Sequence, residues 1–139
     1  MACVVDASVA MAWCFEDEQN AYTESVLDSL STETAVVPSI WAYEVVNVLL
    51  IAERKGRISA ALADEFLYTL AELPITVEEF HWPNQAETLL LRGRATDLTA
   101  YDTAYLTLAL RLACPLATQD KKLLSAARHL GVAILSHAG

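Results

Sequence analysis

At 139 residues, the chain has the length of one compact domain that buries most of its apolar surface, and residues 1–139 are predicted to form a single unit. A hydrophobic fraction of 55% excludes a disordered chain, and Pro38, Glu44 and Asn47 interrupt the richest apolar stretch, which excludes a membrane span. Nine basic and eighteen acidic residues give a net charge of −9, so a nucleic-acid ligand would need local basic patches or bound metal.

The first half of the chain alternates short apolar runs with helical patterns. ACVVD (residues 2–6) predicts a buried strand, ASVAMAWCFED predicts a helix directly after it, and QNAYTESVLDSLS predicts a second helix. AVVP (residues 35–38) predicts the next strand. The long run SIWAYEVVNVLLIAERKG predicts a helix that begins at Ser39, a plausible N-cap, and ends at Gly56.

The second half continues the alternation. SAALADEFLYTLAEL predicts a helix closed by Pro74, ITVEEF a third strand, and NQAETLLLRGR a helix interrupted by Gly93. A helix from Thr99 to about Ala113, the strand PLAT, the helix KKLLSAARHLG and a last strand VAILS follow. Short, unalternating strands separated by helices predict an α/β fold, a parallel sheet covered by helices on both faces. Ligands of such sheets bind beyond the carboxyl ends of the strands.

Three carboxylates stand where this rule places a site. Asp6 follows the first strand, Asp120 follows PLAT, and Asp102 lies three residues after Thr99 at the start of a helix. Each also fits a local helix cap, which stabilises a helix by roughly 1 kcal/mol. These three acids taken singly therefore do not distinguish capping from catalysis.

Glu44 has no such local explanation, because it lies inside a predicted helix. On a helical projection it shares a stripe with Ile40, Asn47, Val48 and Ile51, which we predict to be the buried side. Burying an unpaired carboxylate costs several kcal/mol, so we expect a partner for Glu44. The basic residues cluster on stretches typical of solvent faces, which favours a metal ion, or water held between several acids, as that partner.

If all four acids reach one crevice, their repulsion calls for a cation among them. A site of carboxylates without His or Cys suits Mg²⁺ or Mn²⁺ better than zinc. Such ions, alone or as a pair, activate water and hold a phosphodiester during displacement. The sequence therefore indicates a phosphoryl-transfer chemistry that is compatible with an acidic chain.

Four blocks of this sequence resemble the motifs of PIN-domain proteins, and their order and spacing are most similar to VapC-type toxins of toxin–antitoxin pairs: VVDASVAMAW, VPSIWAYEVVNVLL, LTAYDTAYLTLA and LATQDKKL. The resemblance implies an α/β/α sandwich and a Mg²⁺- or Mn²⁺-dependent endoribonuclease. It also implies a homodimer and a small antitoxin that blocks the acidic site. The residues carried over by motif are the metal-binding and catalytic acids Asp6, Glu44, Asp102 and Asp120, with Ser8, Asn47 and Thr118 as accompanying polar positions and Asp97 as peripheral.

Several further features are predicted to be structural or to lie on the surface. Cys3, Cys14 and Cys114 lack zinc spacing and are predicted to be reduced apolar fillers, and an N-terminus without a basic lead-in predicts a cytoplasmic protein. The three histidines, His81, His129 and His137, are predicted to be surface or packing residues.

Two surface hypotheses remain from the sequence. One of the basic clusters ERKGR (residues 53–57) and RGR (residues 92–94) is a candidate for holding an RNA backbone. Met11, Trp13, Phe15 and Tyr22 are either core residues or a dimer or antitoxin surface.

Two other functions are compatible with the sequence pattern. One is a PIN-fold module that binds a basic protein partner without catalysis. The other is a different phosphoryl-transfer enzyme or a receiver-like domain on a doubly wound sheet. Receiver-like domains expect paired acids near the first strand, and phosphatases with an aspartate nucleophile expect a second aspartate two residues after the first. Here only Asp6 follows the first strand and position 8 is Ser8, which weakens that alternative.

Overall fold

The computed structural model of the chain describes residues 2–136, which form a four-stranded parallel sheet with helices on both faces. The strands lie in the order β3-β2-β1-β4. Their bounds are β1 (Ala2–Val5), β2 (Thr34–Val37), β3 (Ile75–Val77) and β4 (Leu116–Ala117). The helices are α1 (Ala7–Ala12), α2 (Ala21–Ser29), α3 (Ser39–Arg54), α4 (Ala60–Glu72), α5 (Asn84–Thr96), α6 (Ala100–Leu112) and α7 (Lys121–His129), with a short 3-10 turn at Glu16–Glu18. The predicted α/β/α sandwich is confirmed.

Alternating strand residues divide the core into two layers. Val4 of β1 packs in the layer formed mainly with α3, α4, α6 and α7, whereas Cys3 and Val5 pack in the layer formed with α2. Leu116 and Ala117 of β4 divide between the same two layers. Continuous apolar runs are therefore required here, because both faces of each strand are covered.

Element boundaries differ from the predictions in several places. The predicted N-cap Ser39 is the first residue of α3 instead, and Pro38 stands at the cap position without a side-chain hydrogen bond. The last strand, VAILS, contributes only an isolated bridge between Ile134 and Leu116, because β4 offers two residues for pairing. The first helix ends at Ala12, where the backbone N–H groups of Trp13 and Cys14 donate to the carbonyls three residues earlier, at 3.1 and 3.0 Å. The Trp13 indole N–H donates to the Thr23 carbonyl at 2.8 Å. Gly93 does not interrupt α5.

The buried side of α3 is not the predicted one. The buried residues are Trp41, Val45, Leu49 and Ala52, and Ile51 is 41% exposed. The helix buries this stripe because it carries the large indole of Trp41 and no carboxylate or amide side chain. Glu44 lies beside the buried stripe and is half-buried.

Residues near the first helix belong to the core more than to a surface. Met11 is 2% exposed and Phe15 is 4% exposed, while Trp13 and Tyr22 are half-buried. The prediction of a dimer or antitoxin surface on this set is therefore wrong for Met11 and Phe15, which pack inward. Cys3 lies in the core as well, and its burial raises the thiol pKa to about 11.

Candidate active site

Asp6 directly follows β1 and is the N-cap of α1. Its Oδ1 atom accepts a hydrogen bond from the backbone N–H of Ser8 at 3.4 Å, and its Oδ2 atom accepts one from the Ser8 hydroxyl at 3.0 Å. The Thr118 hydroxyl donates to the same Oδ2 atom at 2.8 Å. Asp6 and Thr118 are both buried, so these bonds replace water lost by the carboxylate. These hydrogen bonds fix the orientation of Asp6, and its Oδ1 atom accepts fewer of them than its Oδ2 atom.

Thr118 connects Asp6 to Asp120. Strands β1 and β4 are parallel neighbours, and the backbone N–H of Asp6 donates to the Ala117 carbonyl at 2.9 Å. The Thr118 hydroxyl oxygen accepts a hydrogen bond from the Asp120 backbone N–H at 3.1 Å. Asp120 is the N-cap of α7, and its Oδ1 atom accepts from the Leu123 N–H at 3.0 Å. The predicted capping role of Asp120 therefore coexists with a place at the strand edge.

Glu44, in the second turn of α3, has a partner that the sequence did not indicate. The Tyr105 hydroxyl of α6 donates to Glu44 Oε1 at 2.7 Å, and Tyr105 is only 1% exposed. The same hydroxyl interacts with the backbone N–H of Ala7. Burial, followed by the nearby Glu44 carboxylate, raises the pKa of Tyr105, so its hydroxyl acts as a donor. The only signal for Tyr105 in the sequence was its position three residues after Asp102, which places both side chains on the same face of the predicted helix.

Asp102 lies in the first turn of α6, whose N-cap is Thr99. The Thr99 hydroxyl oxygen accepts a hydrogen bond from the Asp102 backbone N–H at 3.2 Å. Burial raises the pKa of the Asp102 carboxyl, and the charges of Asp120 and Asp6 raise it further. An interaction between the Thr99 hydroxyl and the Asp102 carboxyl lowers this pKa, as does the nearby Lys122 charge.

The four acids are electrostatically coupled at one edge of the sheet. Burial raises the pKa of Glu44, its hydrogen bond from Tyr105 lowers it, and the charges of Asp6 and Asp102 raise it again. The charge of Asp120 in turn raises the pKa of Asp102, so each of the four acids interacts electrostatically with at least one other. Nevertheless, no three His, Cys, Asp or Glu side chains within residues 2–136 are arranged to hold one metal ion directly.

The remaining predicted residues lie further from this centre. Asn47 is exposed, and its side chain makes no hydrogen bond within the described part of the chain. Asp97 is the C-cap of α5, with a left-handed φ of 59°, and is exposed. His81 and His129 are both exposed, and His137 lies outside the described residues.

Two grooves adjoin the N-terminus of α6, at which Asp102 lies. The first, of about 410 Å³, is mainly apolar and includes Tyr43, Phe80 and Tyr101. The second, of about 700 Å³, runs between α5 and α7 and includes Arg92 and Lys122. The edge with the four acids is thus bordered by surfaces of different chemistry.

Among solved structures, the chain is similar to PAE2754 from Pyrobaculum aerophilum, with 24% identity, a TM-score of 0.67, and coverage of 91% of this chain and 79% of that one. It is also similar to VapBC2 from Rickettsia felis bound to a DNA fragment from their promoter, with 11% identity, a TM-score of 0.68, and coverage of 97% and 98%. FitAcB from Neisseria gonorrhoeae matches with 14% identity, a TM-score of 0.65, and coverage of 96% of both chains. These likenesses show the fold.

A comparison with curated proteins finds no match. No helix in residues 2–136 has the length and apolar character needed to cross a membrane. The model of the PIN domain family matches residues 3–129, a span that holds all four acids. The chain therefore belongs to the PIN-domain family.

Proposed function

We propose that this protein is a divalent-metal-dependent endoribonuclease, the toxin of a toxin–antitoxin pair, which hydrolyses RNA phosphodiester bonds at Asp6, Glu44, Asp102 and Asp120. The observation that carries the proposal is the position of the four acids in a PIN-family sheet. Asp6 and Asp120 follow neighbouring strands and are joined through Thr118, and Glu44 and Asp102 lie close enough to Asp6 for its charge to raise their pKa values. None of the four acids forms an ion pair within residues 2–136, so their neighbouring negative charges are left for a bound cation to neutralise.

The donor set fits a hard cation such as Mg²⁺ or Mn²⁺. All candidate ligands are carboxylate oxygens, and Asp6 Oδ1 accepts only one long hydrogen bond. Mg²⁺ usually keeps several waters and takes one or two carboxylates, which is compatible with acids that do not close on a single point. When bound, the ion supplies a Lewis acid that polarises the phosphodiester and acidifies water.

The chain's own residues hold this centre in place. Ser8 and Thr118 orient Asp6, and Tyr105 orients Glu44. The Asp120 carboxylate is held by the cap of α7, and the backbone of Asp102 is held by the cap of α6. We assign Asp6, Glu44 and Asp102 to direct or water-mediated metal contact. Asp120 either binds a second ion or accepts a proton from the attacking water.

The primary test is cleavage of structured and unstructured RNAs by the purified protein. We expect cutting with Mg²⁺ or Mn²⁺, loss with EDTA, and loss in Asp6→Asn, which keeps the cap geometry but removes the charge. Mn²⁺ binding by calorimetry, in parallel with Asp102→Asn, separates catalysis from binding alone. Metal binding without cleavage of any RNA would instead favour a non-catalytic module with a protein partner.

The proposal includes a homodimer. Tyr43, Val46 and Leu50 form a stripe on the outer side of α3, and they are 75%, 45% and 40% exposed. Apolar side chains at this helical spacing and exposure are typical of interfaces. Sedimentation of the wild type should give a dimer, and Val46→Glu with Leu50→Glu should shift it to a monomer. A wild-type monomer would contradict this part of the proposal.

The proposal also includes a cognate antitoxin. It is supported by the structural neighbours VapBC2 and FitAcB, which are toxin–antitoxin complexes. A stoichiometric antitoxin should abolish RNA cleavage by the wild-type protein. Full cleavage in the presence of the bound partner would contradict this role.

A further inference from the structure

We propose that the groove between α5 and α7 binds the phosphate backbone of RNA as it leads into the acidic site. This inference rests on the proposed ribonuclease function and adds to it the path and the contacts of the substrate. The groove has a volume of about 700 Å³ and opens beside the N-terminus of α6. It is therefore large enough for a strand of nucleic acid rather than a single ion.

Two helix faces supply the groove's polar groups. Lys122, Ser125 and His129 are spaced by three and four residues, which places them on one side of α7. Arg92 and Thr96 are spaced by four residues on α5, where the Thr96 hydroxyl donates to the Arg92 carbonyl at 2.8 Å. The groove thus presents a guanidinium, an ammonium and an imidazole on facing walls, the groups that contact phosphates.

The cations of the groove are available to a ligand. Neither Arg92 nor Lys122 forms an ion pair within residues 2–136. By contrast, Arg57 of the ERKGR cluster is held by Asp17 and Glu18 at 2.6 and 2.9 Å. Arg92 of the RGR cluster, which lines the groove, is therefore a better candidate for a phosphate contact than Arg57.

None of the four acids lines the groove, but its residue Lys122 lies close to two of them. Lys122 is the second residue of α7, directly after the Asp120 cap, and its charge reaches Asp102. Asp97 is the one acid lining the groove in the described part of the chain. A backbone entering here meets positive charge before it meets the four carboxylates, which offsets the repulsion expected from a net charge of −9.

The test is RNA binding in EDTA as a function of salt, which separates it from cleavage. The probe is a fluorescein-labelled oligouridylate of about 15 nucleotides, in the range that single-strand sites cover. The groove variant is Arg92→Gln with Lys122→Gln. Its matched control is Arg94→Gln with Lys121→Gln, which removes the same charge from neighbouring residues that do not line the groove.

We expect the groove variant to lower the slope of log K against log salt by about 1.4, since each lost single-strand phosphate contact accounts for about 0.7. The control should change the slope by much less. Asp97→Asn, which keeps a residue tolerant of the left-handed conformation, should instead tighten binding. Circular dichroism of every variant confirms that a loss of binding is not a loss of fold.

Three outcomes would overturn the inference. Equal slopes for the groove and control variants, with cleavage intact in the wild type, would remove the groove assignment and leave the nuclease proposal standing. Unchanged RNA binding with lost antitoxin binding would assign the groove to the protein partner. Absence of RNA binding by the wild type at low salt would overturn the groove proposal, and the cleavage assay with Mg²⁺ or Mn²⁺ decides the nuclease proposal separately.

Discussion

The hydrogen bond between Tyr105 and Glu44 offers a direct test of how the site is held together. Tyr105→Phe removes one hydroxyl and leaves the buried ring, which is 1% exposed, in place. The lost bond is 2.7 Å long and ends on a carboxylate, a class worth about 1.5–3 kcal/mol. Because Glu44 is only half-buried, water replaces part of the bond, and we expect a loss near 1.5 kcal/mol.

For a chain of this length, that loss corresponds to a decrease in Tm of about 5 °C by calorimetry. The variant should also change the pH profile of cleavage. The Tyr105 hydroxyl lowers the pKa of Glu44, so its removal raises that pKa, and the acidic limb of the profile should move to higher pH.

Tyr101→Phe is the matched control, since Tyr101 lies one turn earlier on α6 and is 59% exposed. Its Tm and pH profile should match those of the wild type. If Tyr105→Phe changes neither the Tm nor the acidic limb, then Tyr105 does not position Glu44 and the argument fails.

Three further predictions concern the surroundings of the acids and one helix end. Thr118→Val removes the hydroxyl that donates to Asp6 at 2.8 Å and keeps the shape of the side chain. Because this hydroxyl orients a candidate metal ligand, we expect a loss of Mn²⁺ affinity of roughly 10- to 100-fold by calorimetry. An unchanged affinity would place the metal elsewhere. The pKa values of Glu44 and Asp102 are raised in the folded state, so their stabilising contribution is full below their unfolded pKa values and is lost as pH rises through the folded ones. The Tm in EDTA should therefore fall as the pH rises above about 4. Mn²⁺ should restore the Tm at neutral pH, and a Tm indifferent to Mn²⁺ would count against a metal site. Ala113 is exposed and has a left-handed φ of 52° at the end of α6, a conformation that glycine adopts without strain. Ala113→Gly should therefore stabilise the fold by about 0.5–1 kcal/mol and leave cleavage unchanged. A lower Tm would refute this.

The sequence determined the order and type of most elements. Short apolar strands such as ACVV, set between helical patterns, required a parallel sheet with both faces covered, since no polar alternation left a face for solvent. Helix caps also followed from local sequence. Asp6, Thr99 and Asp120 accept hydrogen bonds from backbone N–H groups in the first turn of their helices, as their local sequence predicted, whereas Ser39 does not cap α3.

The position of the acids followed from the same local information. Asp6 and Asp120 directly follow strands or open helices, so the rule for parallel sheets aimed them at one edge before any tertiary contact was known. Their coupling in the folded chain agrees with that expectation, while their catalytic and metal-binding roles stay predictions for the experiments above.

Only the tertiary structure decided which faces and partners were used. Two stripes of α3 were apolar enough to be buried, and the packing of Trp41 beneath the sheet selected one of them and left Glu44 at its margin. Tyr105 donates a hydrogen bond to Glu44, which lies 61 positions away in the sequence. Arg92 of α5 lines the same groove as Lys122 of α7. Such contacts depend on how helices pack, which the periodicity of a single helix does not contain. Local sequence thus fixes what each segment can become, and long-range packing determines which side chains it meets.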